Sequence, residues 1–207
     1  MATILRTWSY QYQWLYNGIS RLAALSVGGE NRFRHLALQG LPLDRDTAVL
    51  DLCCGAGQTT QILVQYSQNV TGLDVSPVAL KRAAAKVPQA QYVEGRAQEL
   101  PFDRQTFDLV HASVALHEMD VDELQQLFQE VYRVLKPGGT FTFLDFHHAS
   151  HWFFRAGLAI FLGLFETETA WQFIEMDLQQ RLEAAGFKSF QRRLFAGNSL
   201  QVIQAKS

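Results

Sequence analysis

The sequence is poor in cysteine and proline, with two cysteines and five prolines among 207 residues. Cys53 and Cys54 are adjacent, and neighbouring Cα atoms lie about 3.8 Å apart, which is closer than ordinary disulfide geometry allows. This scarcity excludes a disulfide-stabilised scaffold and indicates buried thiols in a reducing compartment. No low-complexity linker or internal repeat is visible in the sequence.

The sequence also lacks a charge excess and a long hydrophobic run. Its net charge is −2, and basic residues form no block longer than pairs such as Arg192-Arg193, so we expect no nucleic-acid partner. The longest apolar stretch, residues 152–165, contains Arg155 and is shorter than the roughly 20 residues of a spanning helix. The amino terminus lacks the apolar core of a secretory signal. We expect one cytoplasmic domain without a transmembrane segment, and leave peripheral membrane contact and oligomeric state open.

A predicted buried strand followed by a glycine turn is the most informative feature. Residues 48–53 form a short apolar run that is typical of a strand covered on both faces. Gly55 and Gly57 follow, and glycine permits conformations that let a ligand approach the main chain. A helix beginning near Gln58 would direct unpaired N–H groups at this point. Asp74 ends the next apolar run, at the spacing of about 20 residues that suits a carboxylate binding ribose hydroxyls. The pattern predicts a nucleotide-type pocket.

The motif departs from a dinucleotide-binding fingerprint, because Thr60 stands where a third glycine belongs. It instead resembles the first motif of the class I S-adenosylmethionine-dependent methyltransferases, and is similar to forms in the quinone-biosynthesis C-methyltransferase (methyltransferase type 11) branch. Residues 107–117 are similar to that family's fourth strand and its following loop, and residues 134–140 to the entry of its fifth strand. These ordered motifs extend over roughly residues 48–146.

The resemblance implies S-adenosylmethionine as cofactor and S-adenosylhomocysteine as product. Carried over by position, it implies that Gly55, Ala56 and Gly57 border the methionine part of the cofactor. It also implies that Asp51 lies near the cofactor's amino group and that Asp74 holds its ribose. The remaining predicted cofactor-binding residues lie at neighbouring strand ends or in the loops that follow them: Cys53, Val75, Arg96, Ala97 and His111.

Two of these positions depart from the family pattern. Cys53 replaces the first glycine of the motif, and we expect its small side chain to be tolerated. Arg96-Ala97 stands where relatives carry an acidic or amide contact to the adenine amino group. The groups available here are the backbone N–H of Ala97, which can bond adenine, and the planar guanidinium of Arg96, which can stack on a ring.

Strand and helix patterns alternate along the chain. Apolar runs predict seven strands, near residues 48–53, 70–74, 90–94, 107–111, 140–146, 187–195 and 199–205. Helices are predicted over residues 58–66, after the Ser76-Pro77 start signal, from an Asp120–Glu123 capping box to Pro137, and from Trp171 to Gly186. The predicted fold is α/β, a Rossmann-like doubly wound, mostly parallel seven-stranded sheet with an antiparallel C-terminal edge hairpin, the closing edge being implied by the resemblance. We divide the single methyltransferase domain, 1–207, into a helical cap (1–40), a cofactor-binding core (41–146) and substrate-side helices with the terminal hairpin (147–207).

Five of the six histidines fall at or just after the ends of the fourth and fifth strands, where the methyl group must emerge. Imidazole titrates near neutral pH and can take a proton from a phenol, enol or hydroxyl. The predicted catalytic residues are therefore His117 first and His147 second, with Asp145 a weaker candidate, although any one of these histidines can instead be structural. His147, His148 and His151 lack a supporting cysteine or carboxylate pattern, so no metal site is predicted.

All four tryptophans lie outside the predicted cofactor-binding core. Trp8, Tyr12 and Tyr16 recur at helical spacing and predict a helix that docks on the domain or roofs an apolar substrate. We predict methyl transfer to a small apolar or aromatic molecule, with a quinol-type C-methyl acceptor as the sharpest version. Two alternatives stay open: a non-catalytic sensor of S-adenosylmethionine or S-adenosylhomocysteine, and a nicotinamide-dependent oxidoreductase.

Overall fold

The computed structural model describes residues 24–150, 152–165 and 168–207. The aromatic residues Trp8, Tyr12 and Tyr16 and the histidine His151 lie outside the described residues. So does most of the predicted helical cap. The described part of that cap contains α1 (Glu30–His35) and a 3₁₀ helix (Leu36–Leu38), which precede the first strand.

Seven strands in the described residues form one sheet, as the sequence predicts. They are β1 (Ala48–Leu52), β2 (Asn69–Asp74), β3 (Gln91–Glu94), β4 (Phe107–Ser113), β5 (Leu135–Phe146), β6 (Ser189–Phe195) and β7 (Leu200–Lys206). Their order is β3-β2-β1-β4-β5-β7-β6. The first five strands pair in parallel, whereas β7 runs antiparallel to both β5 and β6. The predicted fold class is confirmed, and the hairpin formed by β6 and β7 closes one edge.

The register of the parallel strands positions the site. Asp51 on β1 lies beside Gly72 on β2 and beside His111 on β4. From β1 the strand order continues to β2 and β3 on one side and to β4 and β5 on the other, so the sheet has a topological switch point between β1 and β4. Open α/β sheets bind ligands beyond the carboxyl ends of their strands at such points. The predicted pocket residues therefore gather at one edge of the sheet.

The remaining helices connect the strands. Their bounds are α2 (Thr60–Leu63), α3 (Pro77–Lys86), a 3₁₀ helix (Leu116–Glu118), α4 (Val121–Val134), α5 (Trp152–Phe165), α6 (Glu168–Glu175) and α7 (Leu178–Ala185). Two starts agree with the predicted signals: Ser76 caps α3, with Pro77 in its first turn, and Asp120 forms a capping box with Glu123 at α4. No helix among the described residues is long and apolar enough to span a membrane.

Three predicted helices have the wrong bounds. The helix predicted from the capping box at Asp120 to Pro137 ends at Val134, because Leu135 already pairs with Phe107 at the start of β5. The helix predicted over residues 58–66 begins only at Thr60 and ends at Leu63, because residues 55–59 form turns. The single helix predicted from Trp171 to Gly186 is two helices, α6 and α7. They separate because the carboxylate of Asp177 accepts a hydrogen bond from the backbone N–H of Gln180 and caps a new helix there.

The sheet is covered on both faces by apolar side chains. On one face α4 buries Leu124, Leu127, Phe128 and Val131 in the main core, which also contains Phe143 from β5. On the other face, two smaller clusters join the sheet to the segments before β1 and to α2. There the hydroxyl of Thr142 donates to the carbonyl oxygen of Ala37 at 2.7 Å. Burial of this kind fixes the strand ends that carry the site.

Candidate cofactor and acceptor site

A turn with several left-handed residues follows β1. Cys53, Gly55 and Gly57 have φ angles of 56°, 54° and 77°. A Cβ on Gly57 would lie 3.1 Å from the Cβ of Ala83 on α3, so this glycine permits close packing of the turn against that helix. The turn is therefore shaped by the backbone conformations of these residues. The N-terminus of α2, a helix of only four residues, does not shape it.

Asp74 joins this turn to the end of β2. One carboxylate oxygen accepts the backbone N–H of Gly55 at 2.8 Å, and the other accepts that of Ser76 at 2.9 Å. A carboxylate offers about four acceptor sites, so two hydrogen bonds leave capacity for further donors. Asp74 is only partly buried and lines the cavity described next, which suits the predicted bonds to ribose hydroxyls.

A cavity of about 950 Å³ lies at the carboxyl edge of the sheet. This volume is within the range of about 300–1,000 Å³ that is usual for small-molecule sites. Eight of the ten predicted cofactor residues line it: Asp51, Cys53, Gly55, Ala56, Asp74, Val75, Arg96 and Ala97. The structure therefore brings together predicted residues from three separate segments of the chain.

The other two predicted cofactor residues are not among those that line the cavity. Gly57 packs against α3, and His111 lies behind Asp51 with 1% of its surface exposed. Further residues that line the cavity were not predicted, among them Gln98, Val114, Glu118 and Met119. The only sequence signal for these residues was their position directly after a predicted strand or loop motif. Which of them line the cavity depends on tertiary packing.

The end of the cavity predicted for adenine is partly open. Val75 is 64% exposed, while Ala97 is 3% exposed. The Arg96 guanidinium lies 3.4 Å from a carboxylate oxygen of Glu123, in an exposed ion pair of the kind that contributes little to stability. Stacking of Arg96 on a ring stays a prediction.

The opposite end contains a buried polar cluster. The Thr60 hydroxyl donates to one carboxylate oxygen of Asp51 at 2.6 Å, and Nδ1 of His111 lies 2.9 Å from the other. Asp51, Thr60 and His111 are at most 2% exposed. Of the three, Asp51 lines the cavity.

Both cysteines lie at the cavity as neutral thiols. Burial raises the pKa of Cys53 and that of Cys54 above the ordinary range, and nearby carboxylates, chiefly Asp74 for Cys53 and Asp51 for Cys54, act in the same direction. Burial likewise raises the pKa of the Tyr92 phenol to about 12. Since the thiolate is the nucleophilic form, neither cysteine is suited to nucleophilic catalysis near neutral pH.

A second buried pair lies next to the cavity wall. Nδ1 of His117 lies 2.7 Å from a carboxylate oxygen of Asp145, and the His117 ring packs against Phe146 with centroids 4.6 Å apart. Asp145 also accepts the backbone N–H groups of Leu116 and Phe146. Asp145 thus accepts hydrogen bonds from the backbone while it faces the ring of His117.

His117 and His147 occupy different surroundings. His117 is 1% exposed and belongs to a segment whose neighbours Ala115, Glu118 and Met119 line the cavity. His147 is half-buried against the β6–β7 turn, where its Nδ1–H donates to the carbonyl oxygen of Asn198 at 2.9 Å. Among the described residues, no group of three or more His, Cys, Asp or Glu is placed to hold a metal ion.

The fold and the cavity together define a class of nucleoside-cofactor-binding proteins. A doubly wound sheet, a glycine turn after β1 and an acidic residue at the end of β2 converge on one cavity. The solved structure of phosphoethanolamine N-methyltransferase 2 from Haemonchus contortus, in complex with S-adenosyl-L-methionine, shares this fold with a TM-score of 0.68 at 16% identity. The match covers 98% of this chain and 60% of that one.

Sequence comparison identifies the family. Residues 49–139 match the family model described as "Methyltransferase domain". The chain is 58% identical over 207 residues, 100% of its own length and 98% of the relative's, to the uncharacterized methyltransferase sll0829 of Synechocystis sp.. It is 35% identical over 130 residues to the 2-phytyl-1,4-naphtoquinone methyltransferase of Thermosynechococcus vestitus, covering 60% of this chain and 57% of that protein. The chain belongs to the S-adenosylmethionine-dependent methyltransferase family, and S-adenosylmethionine is its methyl donor.

Proposed function

We propose that this methyltransferase acts on a small apolar or aromatic acceptor, and that a quinol-type molecule methylated on carbon is the preferred substrate. The observation that carries the proposal is the buried His117–Asp145 pair, which adjoins Ala115 and Glu118 in the wall of the donor cavity. A relative named for a phytyl naphthoquinone supports the same acceptor class.

Asp145 is suited to orient His117 for proton removal. With the hydrogen on Nδ1 donated to Asp145, the other ring nitrogen, Nε2, is the basic atom. A base of this kind takes the hydroxyl proton of a quinol, and the resulting negative charge makes a ring carbon nucleophilic. Burial of the pair excludes water from the exchange.

The donor carries the methyl group on a sulfonium sulfur. The bond between that sulfur and the methyl carbon breaks as the acceptor carbon forms its bond to the methyl carbon, and the sulfur keeps the electron pair. The chain's own contribution is to bind both molecules with the reacting atoms in line. The ring proton displaced by the new bond leaves to solvent or a base. No metal is needed for this balance.

The acceptor class is tested with a panel of phenols, reduced quinols, amines and carboxylates, and with methyl-labelled S-adenosylmethionine. We expect label in the phenol and quinol fractions, with carbon-bound methyl on the quinol by mass spectrometry. Label confined to amines or carboxylates contradicts the proposal. Donor binding without any transfer favours the sensor alternative, and preference for a nicotinamide favours the oxidoreductase.

The role of His117 is tested by His117→Ala and His117→Gln. We expect turnover to fall by about 10²-fold or more, as for loss of a general base, with the donor dissociation constant within about twofold of wild type. His148→Ala removes an exposed imidazole just after β5 and serves as the control. Wild-type turnover in both His117 variants rules out this base, and the same measurement on His147→Ala tests the second candidate.

The location of the protein is part of this proposal. The enzyme is cytoplasmic and contacts a membrane surface, where an apolar acceptor would dissolve. The support for this contact is α5, which combines an almost wholly apolar sequence with a Trp152 side chain that is 75% exposed. Sedimentation with vesicles of neutral phospholipid tests the contact. Protein that stays in the supernatant at all lipid concentrations contradicts it.

A further inference from the structure

In the buried cluster of Asp51, Thr60 and His111, the acidic residue of the family motif accepts two further side-chain hydrogen bonds. The motif resemblance places an acidic residue at Asp51, whereas Thr60 lies on α2 and His111 on β4. Each contributes one hydrogen bond to a different oxygen of the same carboxylate, at 2.6 Å from Thr60 and 2.9 Å from His111. Opposed contacts of this kind hold the carboxylate plane in one orientation.

The protonation of His111 follows from its surroundings. Nε2 of His111 is buried and makes no hydrogen bond in the described part of the chain. A proton on that nitrogen would be a buried donor without a partner, which is costlier than a bare lone pair on a neutral ring. Nδ1 is therefore the ring nitrogen that carries the hydrogen, and it donates to the Asp51 carboxylate.

The cluster leaves Asp51 with acceptor capacity on the cavity side. Two of the roughly four acceptor sites of the carboxylate are used by Thr60 and His111, and of these residues only Asp51 lines the cavity. A buried carboxylate with capacity to spare favours a cation that also donates hydrogen bonds. The α-ammonium group of S-adenosylmethionine has both properties.

We propose that Thr60 and His111 are positioning residues that fix the Asp51 carboxylate for the α-ammonium group of the methyl donor. They act through Asp51 and do not touch the donor. This inference rests on the methyl donor of the family and not on the identity of the acceptor. It assigns His111 a place behind the site, and it gives Thr60, the residue that replaces the third glycine of a dinucleotide motif, a function in donor recognition.

The test compares ligands that differ only at the amino-acid end. S-adenosylhomocysteine carries the ammonium and carboxylate groups, its decarboxylated form carries the ammonium group alone, and methylthioadenosine carries neither. Thr60→Val removes the hydroxyl at nearly constant shape, and Thr60→Ser retains it. His111→Leu removes the ring donor, and His111→Asn offers an amide N–H close to the position of Nδ1.

We expect Thr60→Val and His111→Leu each to weaken S-adenosylhomocysteine and its decarboxylated form by about tenfold in calorimetry, the scale of one charge-assisted hydrogen bond. Methylthioadenosine should bind within about twofold of wild type. Thr60→Ser and His111→Asn should restore most of the lost affinity. The thermal midpoint of each ligand-free variant reports any general loss of stability.

Equal weakening of all three ligands, or unchanged affinity for all, overturns the proposal. Weakening of S-adenosylhomocysteine but not of the decarboxylated form also overturns it, because the cluster would then act on the carboxylate end. If Thr60→Val or His111→Leu fails to fold, Thr60→Ala or His111→Phe removes the same donor, and the same discrimination among the three ligands is expected of it. Acceptor turnover is not measured, so failure here is separate from failure of the proposed acceptor class.

Discussion

Cys53 and Val114 each take a left-handed backbone conformation directly after a parallel strand, with φ angles of 56° and 53°. For residues with a Cβ this conformation costs about 1–2 kcal/mol, and Val is a less common occupant than glycine because it is β-branched. The backbone N–H of Val114 donates to the carbonyl oxygen of Leu144 at 2.8 Å, which holds the turn. Both residues line the cavity. Local backbone strain is thus present where β1 and β4 end at the site.

Asp74 is the residue on which donor binding should depend most. Asp74→Ala removes both the predicted acceptor for ribose hydroxyls and the bond that holds Gly55, so we expect S-adenosylmethionine affinity to fall on the order of a hundredfold. Glu94→Ala is a matched control, because Glu94 is an exposed carboxylate beside Asp74 in the sheet register. Calorimetry measures both, and an unchanged constant for Asp74→Ala refutes the ribose role.

The two thiols predict a loss of stability at alkaline pH. Their pKa values are raised in the folded protein above the ordinary value of 9.0, so their contribution is present below that pH and is lost as pH rises, because the unfolded chain ionises first. We expect the free energy of unfolding to fall by about 1 kcal/mol per thiol from about pH 8 to about pH 10. Urea unfolding measures it, and a Cys53→Ala/Cys54→Ala variant should lose less. An equal loss in that variant contradicts the assignment.

At the scale of elements, local signals predicted boundaries well only where they act alone. The capping box of Asp120 and Glu123 fixed the start of α4, since both residues bond to groups within one turn. The start of α2 was wrong because the preceding turn depends on distant contacts, from Asp74 to Gly55 and from Gly57 to Ala83. Sequence periodicity contains no information on such contacts.

The break between α6 and α7 gives a prediction about a single cap. Asp177→Ala removes the acceptor for the backbone N–H of Gln180, so we expect the free energy of unfolding to fall by about 1 kcal/mol. Asp177→Asn should retain most of the stability. Gln180→Ala leaves the backbone donor in place and serves as the control. If Asp177→Ala and Gln180→Ala unfold at the same urea concentration, the cap does not stabilise the break.

At the scale of the whole molecule, the sheet joins residues that are far apart in sequence. The His117–Asp145 pair spans 28 residues, and its formation depends on the parallel pairing of β4 with β5. The sequence predicted both residues as candidates near the same edge but could not predict that one orients the other. Eight of the ten predicted cofactor residues line the cavity, because their motif is local and its spacing is characteristic.

This architecture makes one prediction about the response of the whole chain to its donor product. S-adenosylhomocysteine should slow amide hydrogen exchange in the four segments that line the cavity, residues 53–59, 74–79, 95–98 and 113–119, because bound ligand opposes their local opening. Residues 41–47 and 137–140, at the opposite end of the sheet, provide the internal control. Exchange with mass-spectrometric detection measures both sets. Protection confined to the control segments would place the donor at the amino end of the strands and contradict the prediction. Protection of the first two lining segments alone would mean that the residues after β4 contact the acceptor and not the donor.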